Sequence, residues 1–474
     1  MSLMNERSVN LPLSYFRELC AIPHPSGHTE RVAEWLCDFA AKHDLYCVRD
    51  AHDNVLIRKG ATPGMENRPA LILQGHTDMV AECAPDCQKD MLTEGLDIYT
   101  DGDFLRARGT TLGGDDGVAI AYALALLASK DIPHPELEAL FTSDEEIGLL
   151  GAAALDVGEI HGKMLINIDS DAEGIFTVGC AGGARCDMEL ALEWEDTEQE
   201  AYTLTVGGGE GGHSGMEIDR GRANAIKELA ALCRTLHGEC ELRLSSVQGG
   251  NADNAIPADA TATVVCKKDP SETAAAFQKA LSVRYRNGDP ALFVTVEKTK
   301  VTRVLTKEST DAVLSLLCRI PVGVIAKSRE IEGLVETSLN LGSVRTAESL
   351  HTVVSVRSSL EESKAQLIDE LIKIAKEHGA TFSSRGHYPA WEYRGKTDLE
   401  QTMVDIYRKM YQKDPEVIVI HAGLECGILS QKIPGLCAVS IGPDNFDIHT
   451  PRERLSLSSF QRVWEYLIEV VGAL

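Results

Sequence analysis

Over residues 1–180 the hydrophobic pattern switches repeatedly between helical and strand periods, which predicts an α/β layer structure with a mostly parallel sheet. Ser14 to Cys20 and Thr29 to His43 read as helices, the second with Val32, Leu36 and Phe39 on one face. Asn54 to Arg58 and Ala70 to Gln74 read as strands. Gly117 to Ser129 is an Ala/Leu run too long for a strand and is expected to form a buried helix. Glu138 to Thr142 and Met164 to Ile168 are short apolar runs that end in acidic residues. In open α/β sheets, sites gather beyond the carboxyl ends of strands, so chemistry is expected there.

The texture changes near Gly179-Cys180-Ala181-Gly182-Gly183. Alternating strands such as Ala201 to Val206 and Thr261 to Cys266 then mix with amphipathic helices such as Ala223 to Leu236 and Ser363 to His378. From Tyr388 the αβ pattern returns, with helices at Thr402 to Tyr411 and Ser458 to Val471 and strands at Val417 to Ile420 and Cys437 to Ile441. The fold class expected is therefore α/β, a mostly parallel mixed sheet flanked by helices, with an α+β domain inserted. Its domains are 1–180, 181–385 and 386–474, the first and last forming one unit. A weak internal repeat is suggested inside the insertion, with Asn254 and Asn340 as equivalents.

The bulk properties narrow the function. A chain of 474 residues exceeds one ordinary core, and 44% hydrophobic with 25% charged residues is usual for a globular protein. A net charge of −26 repels phosphate backbones and anionic membranes, so neither nucleic acid nor a membrane is an expected partner. No apolar run approaches a membrane span, and no signal-peptide pattern is seen. Met1-Ser2-Leu3-Met4 reads as a remnant of expression before a natural start at Met4. Thirteen scattered cysteines fit reduced thiols in a cytoplasm; Cys83 and Cys87 lack the second pair a zinc finger needs and read as incidental.

Three acidic segments close apolar runs: Gly75-His76-Thr77-Asp78, Asp144-Glu145-Glu146 and Asn167-Ile168-Asp169. Carboxylates with an imidazole at strand ends suit divalent cations such as Zn²⁺. His76 is expected to leave its strand through Gly75, with Asp78 accepting its other ring N–H; a satisfied histidine with a capping Asp is the competing structural reading. Asp115 and Asp116, in Gly113-Gly114-Asp115-Asp116-Gly117, either cap the buried helix or supply a carboxylate bridging two ions. A turn could aim both Glu145 and Glu146 at one site, one binding metal and the other acting on water; a solvated acidic turn is the plain alternative. Asp169 and His449 complete a set of two nitrogen and three oxygen donors.

In this order, Gly-His-Thr-Asp, Gly-Gly-Asp-Asp-Gly, Asp-Glu-Glu-Ile-Gly, Asn-Ile-Asp and the late His449 resemble the dinuclear-zinc metallopeptidase family that contains aminoacylases, peptidase T and glutamate carboxypeptidase. Arg108 to Gly117 and His421 to Gly427 are similar to its dipeptidase branch acting on aminoacyl-histidines. The resemblance implies metal ligation by His76, Asp115, Glu146, Asp169 and His449, with Asp115 bridging and the peptide after it cis. It also implies Glu145 as general base, Asp78 as orienter of His76, and the insertion as a lid. Within the lid, His213 would stabilise the oxyanion, and Asn254 would bind substrate. Arg357 is the candidate for the substrate's carboxylate, although Lys267 stands where the family's arginine is expected after Asn254. Gly423 and Glu425 would line the pocket, with Glu425 near the substrate's amine.

The expected function is that of a cytoplasmic metal-dependent dipeptidase. It would hold two Zn²⁺, with Co²⁺ or Mn²⁺ as substitutes, and cleave short peptides such as β-alanyl-histidine; a homodimer is expected. An N-acyl amino-acid amidohydrolase with the same centre is the alternative. A non-catalytic binding protein on the same fold is the third reading, and it would not need to keep Glu145.

Overall fold

A computed structural model of the chain describes residues 11–329, 331 and 333–474, so Met1-Ser2-Leu3-Met4 lies outside the described residues. The chain forms two compact units: one of Met1–Gly179, Tyr393–Val419 and Leu424–Leu474, the other of Cys180–Glu392 and Ile420–Gly423. The later boundary falls beyond residue 385 because strand Thr381–Tyr388 pairs with Gly182–Ala191, and Trp391 bridges Cys180.

In the first unit an eight-stranded sheet runs in the order Tyr46–Arg49, Val55–Lys59, Leu137–Thr142, Leu71–His76, Met164–Asn167, Cys437–Ser440, Ile175–Cys180, Glu416–Ile420. The four middle strands, Leu137–Thr142 through Cys437–Ser440, pair in parallel, and antiparallel pairs flank them. The middle strands are near-continuous apolar runs because both faces of a parallel sheet are covered. Their register sets His76 beside Thr142 and Gln74 beside Asn167. Three carboxyl ends therefore meet at one edge, and the acidic segments leave the sheet together.

The Ala/Leu run is the helix Gly114–Ala128, although Asp115 and Asp116 have non-helical dihedrals and regular helix begins after them. It is apolar on every side and is buried nearly throughout. Tyr122 stacks against Phe460 and Trp464 of helix Leu457–Ala473 and donates its hydroxyl proton to the Phe460 carbonyl at 2.6 Å. Each large side chain so buried contributes about 1.5–3 kcal/mol. The helix also sits directly on strand Leu71–His76, where a Cβ on Gly75 would overlap the Cβ of Ala119 and the carboxylate of Asp116.

The second unit is a nine-stranded sheet whose pairings are antiparallel, with helices Ala225–Cys240, Ser271–Arg284, Lys307–Arg319 and Glu361–Glu377. The strands alternate inward apolar residues such as Leu204, Val206, Ala262 and Val264 with polar ones, as a sheet covered on one face requires. Asn254 and Asn340 do not occupy equivalent surroundings. Asn254 lies in the loop before strand Ala260–Val265, whereas Asn340 is inside strand Val335–Thr346, donating to the carbonyls of Asp253 and Ala255.

Some element ends move from their expected places for identifiable reasons. The helix expected from Thr402 begins at Asp398, because the Thr397 hydroxyl accepts the Glu400 N–H and caps it there. Gly75→Ala tests the contact between strand and helix: it is expected to cost about 1–3 kcal/mol by overpacking, read as a lower urea midpoint of the metal-free protein. An unchanged midpoint would show that the two elements part without penalty.

Candidate metal centre

His76 ends its strand rather than following it, and Gly75 serves close packing, not a bend. The Nδ1 of His76 lies 2.9 Å from the Asp78 carbonyl oxygen and 3.4 Å from its carboxylate. The backbone carbonyl is thus the nearer acceptor that fixes the ring, with Nε2 turned toward Asp115. The carboxylate of Asp78 has a larger task. It accepts the Ser26 hydroxyl at 2.8 Å and the backbone N–H groups of Glu145 and Glu146 at 2.9 and 3.3 Å, tying the acidic turn to the end of the neighbouring strand.

Asp115 stands between the two histidines: Nε2 of His76 is 2.9 Å from one carboxylate oxygen and Nε2 of His449 is 3.1 Å from the other. Asp116 takes the capping role instead, accepting N–H groups of His76 and Ala119. The peptide between these two aspartates is cis. Behind them the buried carboxylate of Glu453 accepts three consecutive N–H groups, from Leu112, Gly113 and Gly114, at 2.7, 3.1 and 2.8 Å. Within Arg452-Glu453-Arg454 that glutamate looks like part of a solvated charge run, and sequence reasoning missed it. His449 lies in the turn between short strands Asn445–Phe446 and Arg454–Ser456, at a φ of 60°.

Donor atoms within 4.8 Å of one another come from Asp115, Glu146 and His449, from His76, Glu145 and Glu146, and from His76, Asp116 and Asp169. Asp169 Oδ1 is 3.8 Å from His76 Nε2. The five residues expected as ligands thus lie together, with Glu145 among them. Oε1 of Glu146 is buried 2.8 Å from His449 Nε2, an oxygen whose lone pairs suit a cation. A fourth acidic group, Glu136, Glu138 and His161, is an ion-pair network around Arg58, where Glu138 accepts backbone N–H groups of His161 and Gly162.

The electrostatics agree with a cation site. Burial pushes Glu145 and Asp169 well above the usual carboxylate range; Glu425, Glu146 and Asp115 add to this at Glu145, and Asp116, Asp115 and Glu145 at Asp169, while His76 opposes it. Burial disfavours charge on His76, but hydrogen bonds to Asp115 and Asp78 outweigh it and hold the imidazole well above its ordinary value. His449 is pushed up to about 10 by its hydrogen bonds to Asp115 and Glu146. Two borrowed protons relieve crowded negative charge that divalent ions would relieve more fully.

Next to the centre, the fully buried Glu425 places Oε2 2.6 Å from both Gln74 Nε2 and Thr142 Oγ1, while its Oε1 has no partner. Burial, first among the causes, raises its carboxyl to about 7.

In the second unit, Nδ1 of His213 accepts the N–H groups of Met216 and Gly215 at 2.9 and 3.3 Å, so its proton sits on Nε2. Asn254 is exposed beside it, its carbonyl accepting the Ser214 N–H at 2.8 Å. Lys267 is 64% exposed and paired with Glu241. Arg357 is 8% exposed, and among the described residues no carboxylate pairs with it. Gly423 makes room for the ring of Tyr388, a residue that sequence reasoning used only to mark a boundary.

Residues 72–473 match peptidase family M20/M25/M40. The chain belongs to that family. As a member of M20/M25/M40 it is a metal-dependent hydrolase. The cytosol non-specific dipeptidase of Escherichia coli K12 is 35% identical over 479 residues, covering 99% of each chain. The crystal structure of aminoacylhistidine dipeptidase from Vibrio alginolyticus aligns with a TM-score of 0.90 at 34% identity, covering 98% of this chain and 96% of that one. Aminopeptidase PepT of Bacillus cereus, at 16% identity, a TM-score of 0.56 and 98% coverage of both chains, shares the fold. Among the described residues no helix is long and apolar enough to cross a membrane.

Both imidazoles must release Nε2 protons to bind cations. Those protons are held well above the ordinary histidine value at His76 and to about 10 at His449, so cation affinity is expected to rise with pH from about 6.5 toward 10. The slope should approach about tenfold per pH unit for each proton displaced. Chelator competition with metal-free protein at several pH values measures it, and a flat profile would remove the histidines as ligands.

Proposed function

We propose that this chain is a dipeptidase that hydrolyses dipeptides with a free amine and a free carboxylate, Xaa-His dipeptides such as β-alanyl-histidine among them. His76, Asp115, Glu146, Asp169 and His449 are proposed to hold two cations, with Asp115 between them. Zinc is the first choice because the donor set mixes imidazole with carboxylate, and Co²⁺ or Mn²⁺ would also fit. The observation that carries the reading is Asp115, each of whose oxygens faces the Nε2 of a different histidine. The names of two similar proteins support the substrate class: one is a cytosol non-specific dipeptidase, the other an aminoacylhistidine dipeptidase. A cytoplasmic location is proposed on the same ground.

When bound, the cations supply Lewis acidity and a lowered pKa for water. The side chains do the rest. Glu145 takes a proton from the attacking water and returns it to the leaving amine. Its backbone N–H is fixed on Asp78, so the carboxylate is placed by the turn rather than by its own contacts. His213, with its proton on Nε2, donates to the oxyanion as the carbonyl becomes tetrahedral.

Each unit holds a buried polar atom without a partner, Glu425 Oε1 in the first and Arg357 Nε in the second. A substrate ammonium supplies the partner that Glu425 Oε1 lacks, and a substrate carboxylate supplies the counter-charge that Arg357 lacks. Lys267 already has its partner in Glu241. An N-acyl amino-acid amidohydrolase would have no use for a buried acceptor at Glu425, which favours the dipeptidase.

Glu145→Gln is expected to lower kcat on β-alanyl-histidine at least about a hundredfold with cation content unchanged; hydrolysis at the wild-type rate in a cation-loaded sample would overturn the mechanism. Glu425→Gln is expected to raise KM for a free-amine dipeptide about tenfold or more, while the inhibition constant of the N-acetylated dipeptide moves little. Equal shifts in both would place Glu425 outside amine recognition.

A further inference from the structure

Arg357 occupies the penultimate position of strand Ser349–Ser358, paired with Ser338 on one side and Gly183 on the other. Its stem packs on Gly215, where a Cβ would come within 3.2 Å of the Arg357 Cδ and 3.0 Å of the His213 Cε1. A guanidinium so placed has five N–H donors and a charge that cannot be titrated away, so its orientation decides what it can bind. Only one protein acceptor is seen among the described residues: the hydroxyl of Tyr388, 2.9 Å from Nη1. Nε is buried and without a partner.

Tyr388 is itself rigidly held. It ends strand Thr381–Tyr388 opposite Gly183, and a Cβ on Gly183 would overlap its hydroxyl and Cζ. On another side a Cβ on Gly423 would stand 2.7 Å from Cε2. The Tyr388 carbonyl accepts the Lys364 ammonium at 2.7 Å, and that lysine is buried and also paired with Glu361. Two glycines therefore leave room for one phenol ring, a lysine pins its backbone, and the ring's only polar atom meets Arg357. Nearby His421 is lowered to about 3 by burial and by the charge of Arg357, and with Ser338 Oγ 2.7 Å from its Nε2 it brings no competing charge.

We propose that Tyr388 is a positioning residue for substrate recognition: its hydroxyl sets the plane of the Arg357 guanidinium so that the remaining N–H donors meet a carboxylate. This rests on the reading above that Arg357 receives the substrate's carboxylate. The Tyr388 hydroxyl acts through Arg357, so removing it changes recognition of the carboxylate and leaves the bond-breaking step alone.

The test compares a dipeptide with its C-terminal amide, using cation-loaded full-length enzyme and the ratio of their kcat/KM values. Tyr388→Phe is expected to lower that ratio about tenfold, through KM for the free acid, with kcat and the amide's kcat/KM within about twofold of wild type. Arg357→Lys is expected to lower it further, because an ammonium lacks the bidentate fork, and Tyr388→Phe added to Arg357→Lys should then change nothing more. Gly423→Ala, which crowds the ring without touching the hydroxyl, should move the ratio in the same direction and covers the case of a poorly folding Tyr388→Phe. If Arg357→Lys lowers the ratio and Tyr388→Phe does not, the positioning role is overturned and the reading of Arg357 stands. If Arg357→Lys leaves the ratio unchanged, that reading fails and takes the positioning role with it. Equal losses on acid and amide in Tyr388→Phe would mark a structural role and overturn the proposal as well.

Discussion

Asp115 held between two imidazoles is the interaction on which the catalytic unit depends. Around it stand Asp116, Glu145, Glu146 and Asp169, more carboxylate than a buried place tolerates as free charge. Without cations, the crowding is met by raised carboxyl groups and by protons kept on His76 and His449. That is a costly arrangement for an apo protein and a favourable one for a centre that takes up divalent ions. The unit's architecture can be understood as what keeps these groups from moving apart.

Two carboxylates do that holding through the backbone. Asp78 binds the N–H groups of Glu145 and Glu146, and Glu453 binds those of Leu112, Gly113 and Gly114 just before Asp115. A hydrogen bond to a charged acceptor contributes about 1.5–3 kcal/mol. Main-chain anchoring also fixes where a side chain starts, which a side-chain contact cannot do for a long glutamate. The parallel register of His76 with Thr142 and of Gln74 with Asn167 sets the third reference, so three loops are aligned before any side chain is placed.

Much of this was legible in the sequence, and the parts that were not share a cause. Strand ends carrying His76, the acidic turn and Asp169 show in local hydrophobic runs, because a strand's pattern and its terminus lie within a few residues. The Ala/Leu helix after Asp116 shows for the same reason. Glu453 meets Gly114 across 339 residues, and nothing in Arg452-Glu453-Arg454 distinguishes a buried clamp from a solvated charge. Tyr388 seemed to open the tail but belongs to a strand of the second unit, since its partner Gly183 is also far away in the chain. Gly423 and Asp78 were noticed, but part of what they do was not: Gly423 makes room for a ring, and Asp78, besides facing His76, holds N–H groups of the next loop.

The division of labour proposed for Glu145 and Glu146 rests on the turn that carries them. On extended chain, adjacent side chains point to opposite faces, so two neighbouring glutamates could not serve one centre. Here Asp144 takes a φ of 52°, its carboxylate accepting the Gly27 N–H at 2.6 Å, and the chain reverses at the point where the strand ends. Both following N–H groups then fall on Asp78, which brings the two carboxylates to the same side. Both are grouped with His76, but only Glu146 also reaches His449 and Asp115, while Glu145 feels Glu425, Glu146 and Asp115 as like charges. The proposed roles rest on this difference: Glu146 alone also reaches His449, and Glu145 carries the raised carboxyl that suits accepting a proton and giving it back.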